Sequence, residues 1–211
     1  MKYKLTENKI VINGITLYEI ECITAFEDIR VGTRGGYIEK ESNLSQEGNA
    51  WVCGNARVYG NARVYGNARV YGDAEVCGNA RVYGDAEVCG NAWVYGNARV
   101  YGNARVYGNA RVCGNAWVYG NARVYGNARV CGNARVYGDA DILWISKIGS
   151  RLGTTTVFKI KGGGVGISCG CFLGILEGFE TKVRDTHQEN KFGKEYQALI
   201  SLIKIHFDIG G

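Results

Sequence analysis

Apolar and polar positions alternate along the middle of this chain in a block that recurs every six residues. Sixteen consecutive hexads of the form Gly-(Asn/Asp)-Ala-x-(Val/Ile)-x run from Gly48 to Leu143. In a strand, residues two apart point to one face, so Ala50 and Val52 face inward while Trp51 and Cys53 face outward, and the pairing recurs through Ala140/Ile142. A short, fixed period marks a solenoid. One small and one branched residue per hexad fill only a narrow interior. The Gly-Asn or Gly-Asp pair between hexads suits a corner, since Gly takes positive φ freely and Asn or Asp tolerates the left-handed region. Three sides close an 18-residue coil, and stacking at about 4.8 Å gives a parallel β-helix of a little over five coils, roughly 25 Å long.

The pattern continues in degenerate form on both flanks. Gly36/Ile38 and Ser42/Leu44 repeat the small-x-aliphatic pair, two extra residues near Gln46-Glu47 shift the phase, and Ser146/Ile148 continues the series beyond the hexads. The expected solenoid therefore spans 34–149. Upstream, Lys9–Ile12 and Ile15–Ile20 flank Asn13-Gly14, a strong hairpin signal, so residues 1–33 read as a cap over the open first coil. Downstream, Thr154–Lys161 and Val165–Cys171 flank Gly162-Gly163-Gly164 as a second hairpin. Ile175, Leu176, Phe179 and Val183 recur at helical spacing, as do Tyr196, Leu199, Ile200, Ile203 and Phe207. Residues 150–211 are thus expected to form a small ββαα domain. The fold class is mainly β.

Composition narrows the setting. No apolar run is long enough for a bilayer and no basic-then-apolar leader follows Met1, so the expectation is a cytoplasmic protein with no membrane partner. Eight Cys would suit a disulfide framework, but Cys53, Cys77, Cys89, Cys113 and Cys131 stand where other hexads carry outward Tyr. Reduced thiols are expected, with Cys113 and Cys131, one coil apart, as the pair that air oxidation would join. Between Gly48 and Leu143 ten Arg stand against six acids, four of the five net positive charges of the chain. That excess is mild for a nucleic-acid protein.

Residues 18 apart share a side, which sorts the outward positions into three faces. One side carries Tyr65, Tyr83, Tyr101, Tyr119 and Tyr137 in one ladder and Arg63, Arg81, Arg99, Trp117 and Arg135 in the next, with no acid in either. The sides of Val52 and Val58 mix Arg with Glu or Asp. An Arg/Tyr face suits phosphate, aromatic or acidic protein ligands, because Arg offers a planar fork of donors and Tyr rigid amphipathic area. Self-packing of Tyr covered by Arg stems is the plainer account, and side-by-side packing of copies as a dimer or trimer is another.

Past the last coil, Ser150, Arg151, Thr154, Thr155 and Thr156 place hydroxyl and guanidinium donors in one loop, a candidate anion site. Cys169, Cys171 and His187 offer three zinc ligands, but the spacing is not that of a standard module and no fourth ligand is evident. Buried thiols are the better reading, and no metal or cofactor is expected.

The hexads resemble the signature of left-handed parallel β-helix proteins, and that hand comes from the resemblance. Gly35-Gly36-Tyr37-Ile38-Glu39, Asn43-Leu44-Ser45, Gly149-Ser150-Arg151, Thr154-Thr155-Thr156 and Cys169-Gly170-Cys171-Phe172 are further similar to a group of hexapeptide-repeat proteins widespread in bacteriophages and prophages. Acyltransferases of this fold place a catalytic His and a cofactor-binding loop between coils. Here the coils hold neither His nor insertion, and the chain has only His187 and His206, too few for a gamma-class carbonic anhydrase. The resemblance implies a non-enzymatic phage protein that binds and inhibits a host protein or nucleoprotein complex, with nucleic acid as a further partner. The alternatives are a structural self-assembly module and a transferase-like enzyme.

Overall fold

The computed structural model describes residues 1–210. Its centre is a parallel β-solenoid of about six turns. Two-residue strands, from Trp51–Val52 to Arg135–Val136, stack into three sheets with each residue beside the one 18 further on, as in Trp51↔Arg69 and Val58↔Val76. Every inward Ala and Val from Ala50 to Val136 is buried. The outward side chains complete the alternation that the hexads predict.

The corner residues divide their work differently from the sequence expectation. The hexad Gly takes positive φ from Gly48 to Gly132; at Gly84 (φ +70°) a Cβ would lie 3.0 Å from the Gly102 nitrogen one coil on, so both conformation and stacking demand glycine. The hexad Asn and Asp residues are not left-handed. They run instead as amide columns along the prism edges, Asn61 Nδ2 donating to Asn79 Oδ1 at 3.2 Å and Asn79 to Asn97 and Asn97 to Asn115 at 3.1 Å. A carboxylate only accepts. Asp73 and Asp85 accordingly receive bonds from Asn55 and Asn67 at 3.0 and 2.9 Å.

At the N-terminus, β1 (Tyr3–Ile12) and β2 (Ile15–Cys22) form the expected hairpin, with Asn13 and Gly14 both at positive φ. β2 pairs antiparallel with β3 (Arg34–Ile38), which joins the side of Val58 in parallel, so the hairpin prolongs that sheet. The pairings Ile38↔Val58 and Leu44↔Val64 lie 20 residues apart, which places the two-residue phase shift where the sequence suggests it. Ser42, expected to face inward, sits in a 3-10 turn (Glu41–Asn43) and is exposed.

The other boundary differs. The sixteenth hexad leaves the prism: Asp139–Asp141 is a 3-10 turn, Ala140 is exposed, and Ile142–Ile148 pairs antiparallel with Gly153–Lys159. Ser146 and Ile148 thus belong to the C-terminal sheet and not to a coil. That sheet adds Val165–Cys169 and Phe172–Ile175, so the predicted hairpin gains a strand on each side before α1 (Leu176–His187) and α2 (Lys191–His206). The helices pack on it through a second core that includes Val157, Ile167, Phe179, Val183 and Ile203. Phe158 and Ile142, from the same sheet, instead plug the end of the solenoid core. Among the described residues, no helix is long and apolar enough to cross a membrane.

The coil ladder has a direction that the caps must satisfy. Corner and outward N–H groups donate to the next coil, as Asn49 N to Gly66 O and Trp51 N to Ala68 O, which leaves carbonyls facing out of the first coil and N–H groups out of the last. Lys2 Nζ donates to Gly48 O and Ala50 O, Asn43 Nδ2 to Gly60 O and Ala62 O, and the Tyr37 and Glu39 amides to Ala56 O and Val58 O. Burial pushes the Lys2 ammonium down to about 8, yet either protonation state keeps N–H donors there. At the far end Asp139, Thr156 and Asp141 side chains accept from the amides of Arg123, Arg129 and Tyr137. Each of the three sides thus has at least one capping hydrogen bond at each end. Asn43→Asp keeps the acceptor that holds the Lys40 amide but sets a carboxylate against two carbonyls. We expect urea unfolding at neutral pH to show a loss larger than the about 1–3 kcal/mol of a simply unsatisfied buried group. Acid, which restores an O–H donor, should relieve part of that loss.

Candidate functional site

The Arg/Tyr side is assembled by the ladder register alone. Arg63, Arg81, Arg99, Trp117 and Arg135 are successive neighbours in one sheet. Two residues on, the rings of Tyr65, Tyr83 and Tyr101 stack at 4.8 Å, Tyr101 and Tyr119 at 5.1 Å, and Tyr137 turns edge-on to Tyr119 at 5.2 Å. Burial, with the neighbouring phenols, pushes the Tyr83 and Tyr101 hydroxyls up, so they stay neutral donors at physiological pH.

Stacking covers most ring faces and leaves the hydroxyl edges outward. The Trp117 ring lies under two guanidiniums, Arg99 at 4.9 Å and Arg135 at 4.4 Å, and Arg135 is further tied to the carbonyls of Ala134 and Asn115. Arg63 and Arg81 are exposed and, among the described residues, make no ion pair. On the other sides Arg57 approaches Glu75 at 3.7 Å, Arg105 approaches Glu87 at 3.5 Å, and Arg69 binds Glu27 and Asp28 at 2.7 Å, which holds the Asp28 carboxyl below its usual range. Arg63, Arg81 and Tyr65 border a cleft of about 420 Å³ against the turn of Glu41, Ser42, Leu44, Ser45 and Gln46, a feature with no periodic signal in the sequence.

The five residues of the candidate anion loop do not converge. Along Gly153–Lys159 successive side chains point to opposite faces. Thr154 shares a hydrogen bond with Ser146 at 2.9 Å, buried Thr155 donates to Cys169 Sγ at 3.1 Å, and buried Thr156 serves the end of the solenoid through Arg129 N. Only Ser150 and Arg151 face a cavity, of about 250 Å³, shared with Lys182 and the rings of Phe172, Phe179 and Tyr196. Cys169, Cys171 and His187 line it too, but no group of three or more His, Cys, Asp or Glu is gathered as a metal site among the described residues. Of the outward thiols, Cys113 and Cys131, expected reduced, are joined as a disulfide, since coil stacking brings their Cα atoms to 4.6 Å.

A family profile described as the YdcK Beta solenoid repeat matches residues 50–64, 62–75, 74–90, 92–108, 98–114, 104–120, 116–131 and 128–140. The chain is a β-solenoid repeat protein. An Escherichia coli (strain K12) protein named "Uncharacterized acetyltransferase YdcK" is 36% identical over 59 residues, covering 24% of this chain and 18% of that protein. The match thus spans less than a fifth of the length of that relative.

The separate tasks of the two exposed and buried hydroxyls are open to test. Thr156→Val leaves the Arg129 amide unsatisfied and should cost about 1–3 kcal/mol in urea unfolding. Ser150→Ala, at the surface, should stay within about 0.5 kcal/mol of the parent protein.

Proposed function

We propose that this β-solenoid is a non-enzymatic binding protein that presents its Arg/Tyr side to an acidic surface of a partner protein. The observation that carries the reading is the distribution of acids: Arg57, Arg69 and Arg105 on the other two sides have acidic partners, although Arg111, Arg123 and Arg129 there are unpaired too, whereas no hexad on the side of Arg63 and Arg81 carries an acid and neither is paired among the described residues. Arg and Tyr are enriched among residues that dominate protein interfaces, and Tyr hydroxyl edges beside free guanidiniums fit carboxylates. Intercalated bases fit less well, because the Tyr faces are already occupied by one another at 4.8 Å. The phage resemblance makes the partner a host protein or nucleoprotein complex and the consequence inhibition by occlusion.

A second reading, acetyl transfer, is favoured by the name of the Escherichia coli protein that shares the repeat. The coils of this chain carry no His to act as base. Incubation with acetyl-coenzyme A and amine or hydroxyl acceptors, followed by thiol release, separates the two readings: turnover supports transfer and contradicts binding alone.

The direct test is capture of partners on the intact protein and on the double variant Arg81→Glu/Arg99→Glu, with Arg123→Glu on another side as control. A partner with an acidic contact surface should be retained by the parent and the control, and be weakened about tenfold or more per reversal in the double variant, each tenfold being about 1.4 kcal/mol. Light scattering should give all three proteins the same mass. Equal retention by the double variant, or a change of oligomeric state in it, would assign the side to another role.

A further inference from the structure

The cavity of the C-terminal domain lies apart from the Arg/Tyr side, and its chemistry is distinct. Its wall is aromatic: Phe172 and Phe179 are 5.4 Å apart between ring centroids, and Tyr196 meets Phe179 edge-on at 5.7 Å. Its rim carries Arg151 and Lys182, both exposed, and no Asp or Glu lines it. Neither cation makes an ion pair among the described residues, although Lys159, Lys191, Lys204 and Arg184 elsewhere in this domain do.

The loop that brings Arg151 to the rim is held rather than draped. Gly149 sits at φ +72°, and a Cβ there would collide with the Tyr196 hydroxyl, so the chain passes directly over that ring. The Gly149 amide donates to Glu195 Oε2 at 3.0 Å, which ties that carboxylate to the backbone, while its other oxygen lies 4.0 Å from Lys191 Nζ. An aromatic box alone would suit a cation. Two unneutralised cations at its mouth reverse that preference.

We propose that this cavity binds a small aromatic anion, its ring against Phe172, Phe179 and Tyr196 and its carboxylate or phosphate toward Arg151 and Lys182. The volume of about 250 Å³ lies just under the roughly 300–1,000 Å³ of sites for drug-sized ligands, which selects single-ring or fused two-ring compounds.

The test is titration calorimetry, with saturation-transfer NMR, on the intact protein using phenyl phosphate, indole-3-carboxylate, benzyl alcohol and inorganic phosphate as probes. One or both aromatic anions should bind, and benzyl alcohol and inorganic phosphate should each be weaker by about tenfold or more, a difference of at least about 1.4 kcal/mol. The order of the two aromatic anions distinguishes a phosphate ligand from a carboxylate. Arg151→Gln and Lys182→Gln, surface changes that leave the fold intact by circular dichroism, should each weaken the anions and leave benzyl alcohol unchanged. Failure of both aromatic anions to bind, equal binding of benzyl alcohol, or indifference of both variants would overturn the proposal.

Discussion

The hydrogen-bond ladder between coils governs everything else in this molecule. Because corner and outward amides donate only forward, a stack of identical coils ends in a ring of carbonyls on one side and a ring of amides on the other. Buried or half-buried, each unpaired group costs as much as a lost hydrogen bond, and each bare edge invites another chain. The two terminal segments therefore cannot be interchangeable. One must supply donors, and it does so with Lys2, Asn43 and the backbone of β3; the other must supply acceptors, and it does so with Asp139, Asp141 and Thr156.

Within the ladder, Glu comes as part of a linked set. The two hexads that carry Glu, at Glu75 and Glu87, also carry Asp at the corner and Cys in place of Tyr. The Tyr one coil earlier has no ring above it and turns its hydroxyl to the carboxylate, Tyr59 to Glu75 and Tyr71 to Glu87. Burial and the hydrogen bond to Glu75 push the Tyr59 phenol up, which keeps it the donor in that pair. Glu comes only with Cys, since a Tyr at position 77 would stack over Tyr59 and block the approach, whereas Cys53, Cys113 and Cys131 replace Tyr without Glu. Replacement of Tyr by Cys is thus confined to the two sides that carry acids, and the all-Tyr column persists on the third.

The period of six made the prism legible, because inward Ala and Val at every hexad leave no other way to bury them. The hairpin at Asn13-Gly14 and both helices were legible for equally local reasons: turn chemistry and apolar spacing. The sixteenth hexad was not. Gly138-Asp139-Ala140-Asp141-Ile142-Leu143 satisfies the pattern, yet its two carboxylates fold back onto the Arg123 and Tyr137 amides, and no seventeenth hexad follows to hold Ala140 inward. The corner Asn residues were misread because their side chains, bonded across 18 residues, outweigh their backbone preference. The anion loop failed through strand alternation, which a run of three Thr cannot reveal without knowing where the strand begins.

Function is harder to read from a repeat because repetition fixes positions without saying which of them are spent. In the Arg/Tyr ladder Arg135 and Trp117 are consumed by contacts with each other, while Arg63 and Arg81 make no ion pair among the described residues and no hexad on their side carries an acid. The same accounting applies in the C-terminal domain, where Glu195 is occupied by the Gly149 amide and Arg151 and Lys182 are left over. In both places the informative quantity is a cation without a partner beside aromatic surface that is already packed. A scaffold this regular has no conformational need for such residues. Holding two guanidiniums side by side at coil spacing costs mutual repulsion, which a bound anion would remove.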